Sequence, residues 1–529
     1  MKAHLLYRDQ DFDLRRPLPW NHAALTADLA LSTLFNAMAR GDKFIFDVTE
    51  KVILAGLKND LDVIRYRQSI LQDCLSHPAV VRDLYQIAVE AKEDQKKRFF
   101  LGSLSRRPEW LLRESVELVE ILLLLVRKIR HIADAHAGTF ASEGWKAFFA
   151  MLQVELTDRY FAAATQHLEQ LKFRKGVLLS ARLGPGNKAI NYVLHALPYR
   201  HLRGWEWLKS VVEDRLGSLT KANSSNQPVF KFSIDPRDES GARCLQELRD
   251  RGLGHVANAL AQSAEHLRAF FSMLQMELAF YVGCVNLHEE LARKGEPACF
   301  PSAGASDERQ MSFQGLYDPC LSLNMKQRAV GNDVDADRKD LIIVTGANQG
   351  GKSTFLRGIG LAQLMMQAGM FVPAEMFSGS LCGGLFTHFK REEDSNMKSG
   401  KLDEELSRMS AIVDHLTPGS VILFNESFAA TNEREGSEIA RHIVCALRDR
   451  GIKVFFVTHL YEFARTFHER NDAKALFLRA ERQPDGTRTF RLVEGVPQET
   501  SFGEDLYKNV FGGAAQSELA TPITQRDLP

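Results

Sequence analysis

Apolar positions recur at helical spacing through most of the first 170 residues. Between 118 and 132 they fall at Leu118, Leu122, Leu125, Ile129 and Ile132, steps of four, three, four and three that draw one stripe along a long helix. A second helical pattern covers about 256–278, through Leu260, Leu267, Phe271 and Leu274. Two long striped helices separated by a long stretch predict a pair of antiparallel arms with the intervening chain at their far end. Two ordinary core helices would give the same stripes. From about Arg338 the period changes. Short β-branched runs at 341–345, 421–424 and 454–458 alternate with helical stretches, the pattern of a parallel sheet with crossover helices. Runs at 475–479 and 487–493 flank Pro484-Asp485-Gly486 and predict a hairpin. Residues 513–529 are polar and carry no period.

Composition narrows the class. A chain of 529 residues with 45% apolar and 25% charged residues is a soluble globular protein of several domains, not a disordered, collagen-like or membrane-bundle chain. Its 67 basic residues balance 67 acidic ones, which excludes a surface sticky to polyanions all over. One segment departs from this balance. Residues 172–231 hold eleven basic and three acidic residues, with Tyr192, Tyr199, Trp205 and Trp207 between them. This segment also carries strand-like runs at 176–180 and 230–234 and turn signals at 184–186 and 223–226. It reads either as a DNA-backbone surface built on Lys172, Arg174, Lys175, Arg182, Lys188, Arg200, Arg203 and Lys209, or as a solvated basic face over a small aromatic core. Seven scattered cysteines without a CxxC pair predict neither disulfides nor zinc and fit a reducing cytoplasm. The N-terminus lacks a signal-type apolar region and the run 121–126 is too short to span a bilayer, so no membrane association is expected.

The strongest chemical signal is Gly346-Ala347-Asn348-Gln349-Gly350-Gly351-Lys352-Ser353, followed by Thr354. It fits GxxxxGK[ST] between an apolar strand at 341–344 and a helix at 354–367, the context a phosphate-binding loop requires. Glycines let backbone N–H groups close on phosphates, and the helix N-terminus adds favourable partial charge. Lys352 is then placed for the β- and γ-phosphates and the Ser353 hydroxyl for Mg²⁺. The strand 421–424 runs into Asn425-Glu426, a Walker B form in which Glu426 orients the attacking water. Asn425 stands where a magnesium-associated Asp is usual. A neutral amide predicts weaker Mg²⁺ binding or slow turnover, with ATP binding kept. The run 453–458 ends at His459, a candidate sensor of the γ-phosphate or the water.

These residues resemble the MutS family of DNA mismatch-repair ATPases. Residues 345–377, including Phe371-Val372-Pro373-Ala374, look like that family's phosphate loop and the segment after it; 425–436 look like its Walker B and D-loop; Thr458-His459 resembles its switch histidine. Val330-Gly331-Asn332-Asp333 is similar to a nucleotide-contacting strand, and 494–503 to the family's closing segment, with Phe490 as a cover for adenine. Residues 46–75, with Asp62, Arg67 and Gln68, resemble the core helices more weakly.

The resemblance implies an α plus α/β fold: a helical core with long lever helices and a small clamp-like insert, followed by a P-loop, ABC-type ATPase domain. The implied boundaries are 1–171 for core and first lever, 172–235 for the insert, 236–310 for the returning lever, 311–512 for the ATPase domain and 513–529 for a tail. It further implies ATP and Mg²⁺ as cofactors, Glu426 and His459 as catalytic residues, double-stranded mismatched or branched DNA as partner, and a homodimer through the ATPase domains. The sequence departs from the family in having no legible mismatch-reading module or Phe-x-Glu wedge, no connector, and curtailed C-terminal dimerisation helices. Its signature loop is reduced to Lys398-Ser399-Gly400-Lys401 with Glu404 and Glu405. The alternative expectation is an ATP-switched scaffold with little hydrolysis.

Overall fold

The computed structural model describes residues 1–102, 108–174, 178–183, 185, 189–195, 237–391, 400–483 and 487–498, and all that follows concerns these. They form a mixed helical and α/β protein. It divides into two compact units, one of residues 1, 86–135 and 150–272, the other of 2–85, 136–149 and 273–529.

The chain begins with helices α1 (His22–Asp28), α2 (Leu31–Ala39), α3 (Lys43–Ala55) and α4 (Leu61–Ser76). Asp42 and Asp60 cap the last two by accepting from backbone N–H groups, as short acceptors do at helix starts. Arg67 on α4 is wholly buried. Its Nε donates to Leu6 O at 2.8 Å and its Nη1 to Ala368 O at 3.2 Å, so the guanidinium ties the N-terminal segment to the second half of the chain. Gln68 donates to Pro301 O at 3.2 Å.

Helices α5 (Pro78–Gly102), α6 (Pro108–His136), α7 (Glu143–Glu155) and α8 (Asp158–Leu171) follow. The stripe on α6 is buried at Leu122, Leu125 and Ile129, and half-buried at Leu118 and Ile132. Its antiparallel partner differs from the one expected. Lys172, just past α8, pairs with Glu120 at 2.6 Å, and Arg127 stacks on Phe161 at 4.8 Å; numbers that rise on α6 fall on α8. The long returning helix, α9 (Glu239–Arg293), instead meets the start of α6 near its own start, through Arg249–Glu109 at 2.6 Å. A stripe reports that a face is covered and is silent about which helix covers it. The helix α9 is 55 residues long, longer than its striped stretch 256–278 and inside the 236–310 that the resemblance implied for the returning lever. By length and composition it could cross a membrane, but 89% of its most apolar window is buried in the protein, as in a core helix. Between α8 and α9 the described residues include an antiparallel hairpin, β1 (Leu178–Leu183) and β2 (Ala189–His195). The first strand overlaps the expected run, the second was not foreseen, and 230–234 lies outside the described residues.

The second unit contains the two larger sheets. A four-stranded sheet has the order β3 (Ser302–Gly304), β7 (Met376–Ser380), β4 (Met311–Leu316), β5 (Asn332–Asp335). A six-stranded sheet has the order β12 (Arg488–Glu494), β11 (Ala475–Arg482), β6 (Leu341–Thr345), β10 (Lys453–Val457), β9 (Val421–Asn425), β8 (Leu385–Phe389), parallel except for β12. All of β6 and β8 and nearly all of β9 and β10 are buried. Parallel strands covered on both faces read as largely unbroken apolar runs, which is why β6, β9 and β10 were legible, whereas β8, interrupted by Thr387 and His388, was not read. The connecting helices are α10 (Pro319–Asn324), α11 (Lys352–Gln367), α12 (Lys401–Val413), α13 (Glu433–Asp449) and α14 (Tyr461–Glu469).

Candidate nucleotide site

Parallel α/β sheets collect ligands at the carboxyl ends of their strands, and here three ends converge. The glycine-rich loop leaves β6, Glu426 follows β9, and His459 lies two residues beyond β10. Gly346 has φ +108, and a Cβ on it would lie 2.9 Å from Ala480 N; Gly351 has φ +89. Both conformations disfavour ordinary side chains, so much of the loop's path is written in its glycines; Gln349, with φ +57, is a non-glycine left-handed residue in the same loop. α11 starts at Lys352, two residues earlier than expected, and turns its free N–H groups toward the loop.

Lys352 is buried, and its Nζ donates to Gly346 O and Ala347 O, both at 2.9 Å. Burial pushes its pKa down to about 8; the Glu426 carboxylate opposes that and Arg488 adds to it. The Ser353 hydroxyl donates to Asn425 Oδ1 at 2.8 Å. Glu426 Oε1 lies 3.1 Å from His459 Nε2. A carboxylate only accepts, so that nitrogen carries the hydrogen. The imidazole holds the Glu426 carboxyl below the usual carboxylate range, against its burial. Glu426 itself has φ +54, a left-handed conformation that costs a non-glycine residue about 1–2 kcal/mol.

A cleft of ≈ 450 Å³ opens over these groups, lined by Asn348, Gln349, Gly350, Gly351, Lys352, Ser353, Thr354, Glu426, Val330, Asn332 and Phe490. Gly346 and Ala347 lie behind it as acceptors for Lys352. Phe490 is half-exposed. Asn332 also has a structural task, since its Oδ1 accepts from Leu492 N at 2.7 Å and fastens β12 to β5. Sequence reasoning missed the far wall, Tyr317, Leu321, Met325 and Ala329. The available signal was Asp318-Pro319: Asp318 caps α10 and pairs with Arg357 of α11 at 2.6 Å, which draws this wall to the loop. Oxygen donors on Ser353 and Asn425 suit a hard cation such as Mg²⁺, though the pair is neutral. Of the signature-like residues, Lys398 and Ser399 lie outside the described residues, Gly400 precedes α12, and Glu404 pairs with Arg408 at 2.9 Å.

The basic segment is described only in part. Lys172 contacts Glu120 and Glu169, each at 2.6 Å, and Arg174 lies 3.8 Å from Glu169. Arg182 is exposed on β1. Lys175, Lys188, Arg200, Arg203 and Lys209 lie outside the described residues.

The fold and cleft together define a mixed helical and α/β protein with a glycine-rich-loop cleft at the carboxyl edge of a mostly parallel sheet. Two family models match the chain: the MutS2 N-terminal domain over residues 59–294 and MutS domain V over residues 342–511. The chain belongs to the MutS family. It is 30% identical over 207 residues to the DNA mismatch repair protein MutS of Chloroflexus aurantiacus, covering 35% of this chain and 21% of that protein. It is 34% identical over 278 residues to the MutS of Porphyromonas gingivalis, covering 48% and 31%. It is 28% identical over 297 residues to Endonuclease MutS2 of Lacticaseibacillus casei, covering 53% and 34%. The chain thus spans only a fifth to a third of the length of these relatives.

Proposed function

We infer that this chain is an ATP-hydrolysing, DNA-binding protein that acts in mismatch repair or on aberrant, branched DNA, with ATP binding and hydrolysis gating a DNA clamp. The observation that carries this reading is the convergence of Lys352, Ser353 and the Glu426–His459 pair on one cleft. Lys352 now rests on two loop carbonyls; on ATP binding its ammonium turns to the β- and γ-phosphates, while the loop N–H groups take the phosphate oxygens. Glu426 accepts a hydrogen bond from the attacking water and sets its line of approach, and His459 Nε2–H holds that carboxylate in place. Ser353 and Asn425 would hold Mg²⁺, which neutralises phosphate charge when bound. Tyr317, Met325, Ala329 and Phe490 form the wall suited to the adenine.

The proposed ATPase domain is 311–512, with 1–171 and 236–310 as core and levers, 172–235 as the DNA-contacting insert, and pairing of two chains through the ATPase domains. The exposed Arg182 supports the DNA surface better than Lys172, whose charge is already matched by two carboxylates. The relatives' names, DNA mismatch repair protein and endonuclease, support a role on DNA. The cellular site that follows is cytoplasmic and DNA-associated.

One observation favours a second reading, an ATP-switched scaffold with little hydrolysis: the Ser353 hydroxyl spends its hydrogen on a neutral amide where a carboxylate would add charge. Turnover measured with homoduplex, mismatched and branched DNA, for the natural chain and for Asn425→Asp, separates the two. Turnover stimulated by DNA and raised by Asn425→Asp supports the clamp ATPase. Undetectable turnover in both proteins, with ATP still bound, supports the scaffold.

A further inference from the structure

The turn that carries Glu426 is held from behind by a closed ring of buried groups. Ser427 Oγ lies 2.7 Å from His388 Nδ1 and 2.6 Å from His388 O. His388 Nε2 lies 3.0 Å from Glu405 O. The Glu405 carboxylate in turn accepts from Phe428 N at 2.7 Å, and the Phe428 ring stacks on the His388 imidazole at 5.3 Å and 20°. His388, Ser427 and Phe428 are fully buried, and Glu405 nearly so.

The proton positions follow from chemistry. A carbonyl only accepts, so His388 Nε2 carries a hydrogen for Glu405 O. Burial holds His388 neutral, pushing its pKa down to about 4. Nδ1 is therefore an acceptor, and the single Ser427 hydroxyl hydrogen is shared between it and His388 O. Every member of the ring lies within hydrogen-bond distance of another, and a buried polar network of this kind restricts the geometry of its members. What it fixes is unusual: Glu426 and Phe428 have φ +54 and +62, left-handed conformations that persist only where surroundings impose them. A packed apolar core could support β9 equally well. A buried carboxylate aimed at the amide two residues past Glu426 serves the turn.

The geometry points to Glu405 and His388 as positioning residues for Glu426: from α12 and β8 they impose the 426–428 turn, and so make hydrolysis depend on the seating of α12. This rests on the reading of Glu426 as the water-orienting group. Because α12 begins beside Gly400-Lys401, where the family-like signature segment ends, a shift of that helix reaches the 426–428 turn through the two hydrogen bonds of Glu405, with no change in the groups that hold ATP.

The test is steady-state ATP turnover together with the Kd of a fluorescent ATP analogue for Glu405→Ala, Glu405→Gln, Ser427→Ala and Glu426→Gln. Glu405→Ala is expected to lower kcat by roughly tenfold to a hundredfold, the scale of a displaced catalytic group, with Kd within about twofold. Glu405→Gln keeps an oxygen for Phe428 N and is expected to recover most of the loss. Ser427→Ala removes one hydroxyl, suits the case in which Glu405→Ala does not fold, and is expected to lower kcat severalfold at unchanged Kd. Wild-type kcat in Glu405→Ala or Ser427→Ala, equal loss of kcat and Kd, or failure of Glu405→Gln to recover activity overturns the inference. Wild-type turnover in Glu426→Gln instead overturns the underlying reading of Glu426.

Discussion

Two stretches of the site follow left-handed backbone, and they are held in opposite ways. The loop from β6 to α11 turns at Gly346 and Gly351, with φ +108 and +89, where the absence of a Cβ makes the path nearly free. The turn after β9 does the same at Glu426 and Phe428, with φ +54 and +62, where side chains resist it at about 1–2 kcal/mol each. The loop therefore carries most of its shape in its own composition, with Gln349 at φ +57 as the exception, and the turn borrows its shape from His388, Ser427 and Glu405. A region shaped by composition keeps its path wherever neighbours move. A region shaped by contacts can be released by them, which suits a step that must be switched.

The largest break in this comparison is Gly346→Ala. Its Cβ would lie 2.9 Å from the backbone N of Ala480, a group that cannot rotate away, on top of about 1–3 kcal/mol of backbone strain. ATP binding measured by calorimetry should weaken by on the order of a hundredfold, since about 2.7 kcal/mol is that factor. A Kd within twofold of the natural chain would show that the loop's path is also set from outside.

Phe428→Gly probes the turn. The substitution removes a fully buried ring, a loss of about 3–5 kcal/mol, and returns about 1–2 kcal/mol of left-handed strain. The net destabilisation in urea should be about 2–3 kcal/mol. Phe428→Ala sharpens the point: it loses nearly the same ring but keeps the strain, so it should be less stable than Phe428→Gly by about 1 kcal/mol. Elsewhere in ordered structure alanine outlasts glycine by about that amount. The usual order at position 428 would mean that the turn is not strained.

The same contrast explains what could be read from the sequence. The glycine loop, the buried strands β6, β9 and β10, and the pair Glu426 and His459 were legible because each is a local pattern: glycine spacing, an unbroken apolar run, a polar residue closing that run. The hairpin of β11 and β12 was equally local. The ring behind Glu426 was not legible, since His388, Glu405 and Phe428 are far apart in sequence and meet only where β8, α12 and the turn after β9 come together. Tyr317, Met325 and Ala329 carry no motif, so the far wall of the cleft appeared only in three dimensions. The partner of α6 was misjudged for the same reason, because periodicity marks the covered face of a helix but not the helix that covers it. Periodicity marked only 256–278 of α9, because 239–252 carries charged and polar residues on most positions and propensity alone marks helix weakly there; the 236–310 span for the returning lever came from the family resemblance.

The charges of the two regions also oppose each other, and pH separates them. Lys352 is pushed down to about 8 by burial, while His459 holds the Glu426 carboxyl below its ordinary range. On the acid side Glu426 stays ionised through pH 5 and above, so it imposes no limb there. On the alkaline side the free protein loses the Lys352 ammonium above about pH 8, and kcat/KM for ATP should fall by about tenfold for each further pH unit. In the complex, phosphate charge favours the ammonium, so the limb of kcat should lie at higher pH than that of kcat/KM. Stability runs the other way. Between about pH 8 and the ordinary lysine value the unfolded chain binds more protons at this site than the folded one, so this lysine makes the fold more stable as pH rises. Lys352→Met should therefore lose ATP affinity at every pH, and its stability advantage over the natural chain should shrink as pH climbs from about 8 toward 10. An advantage that stays constant over that range would mean the ammonium is as well solvated in the folded loop as in water, and the loop's cation would then be no more poised to leave than the turn's anion.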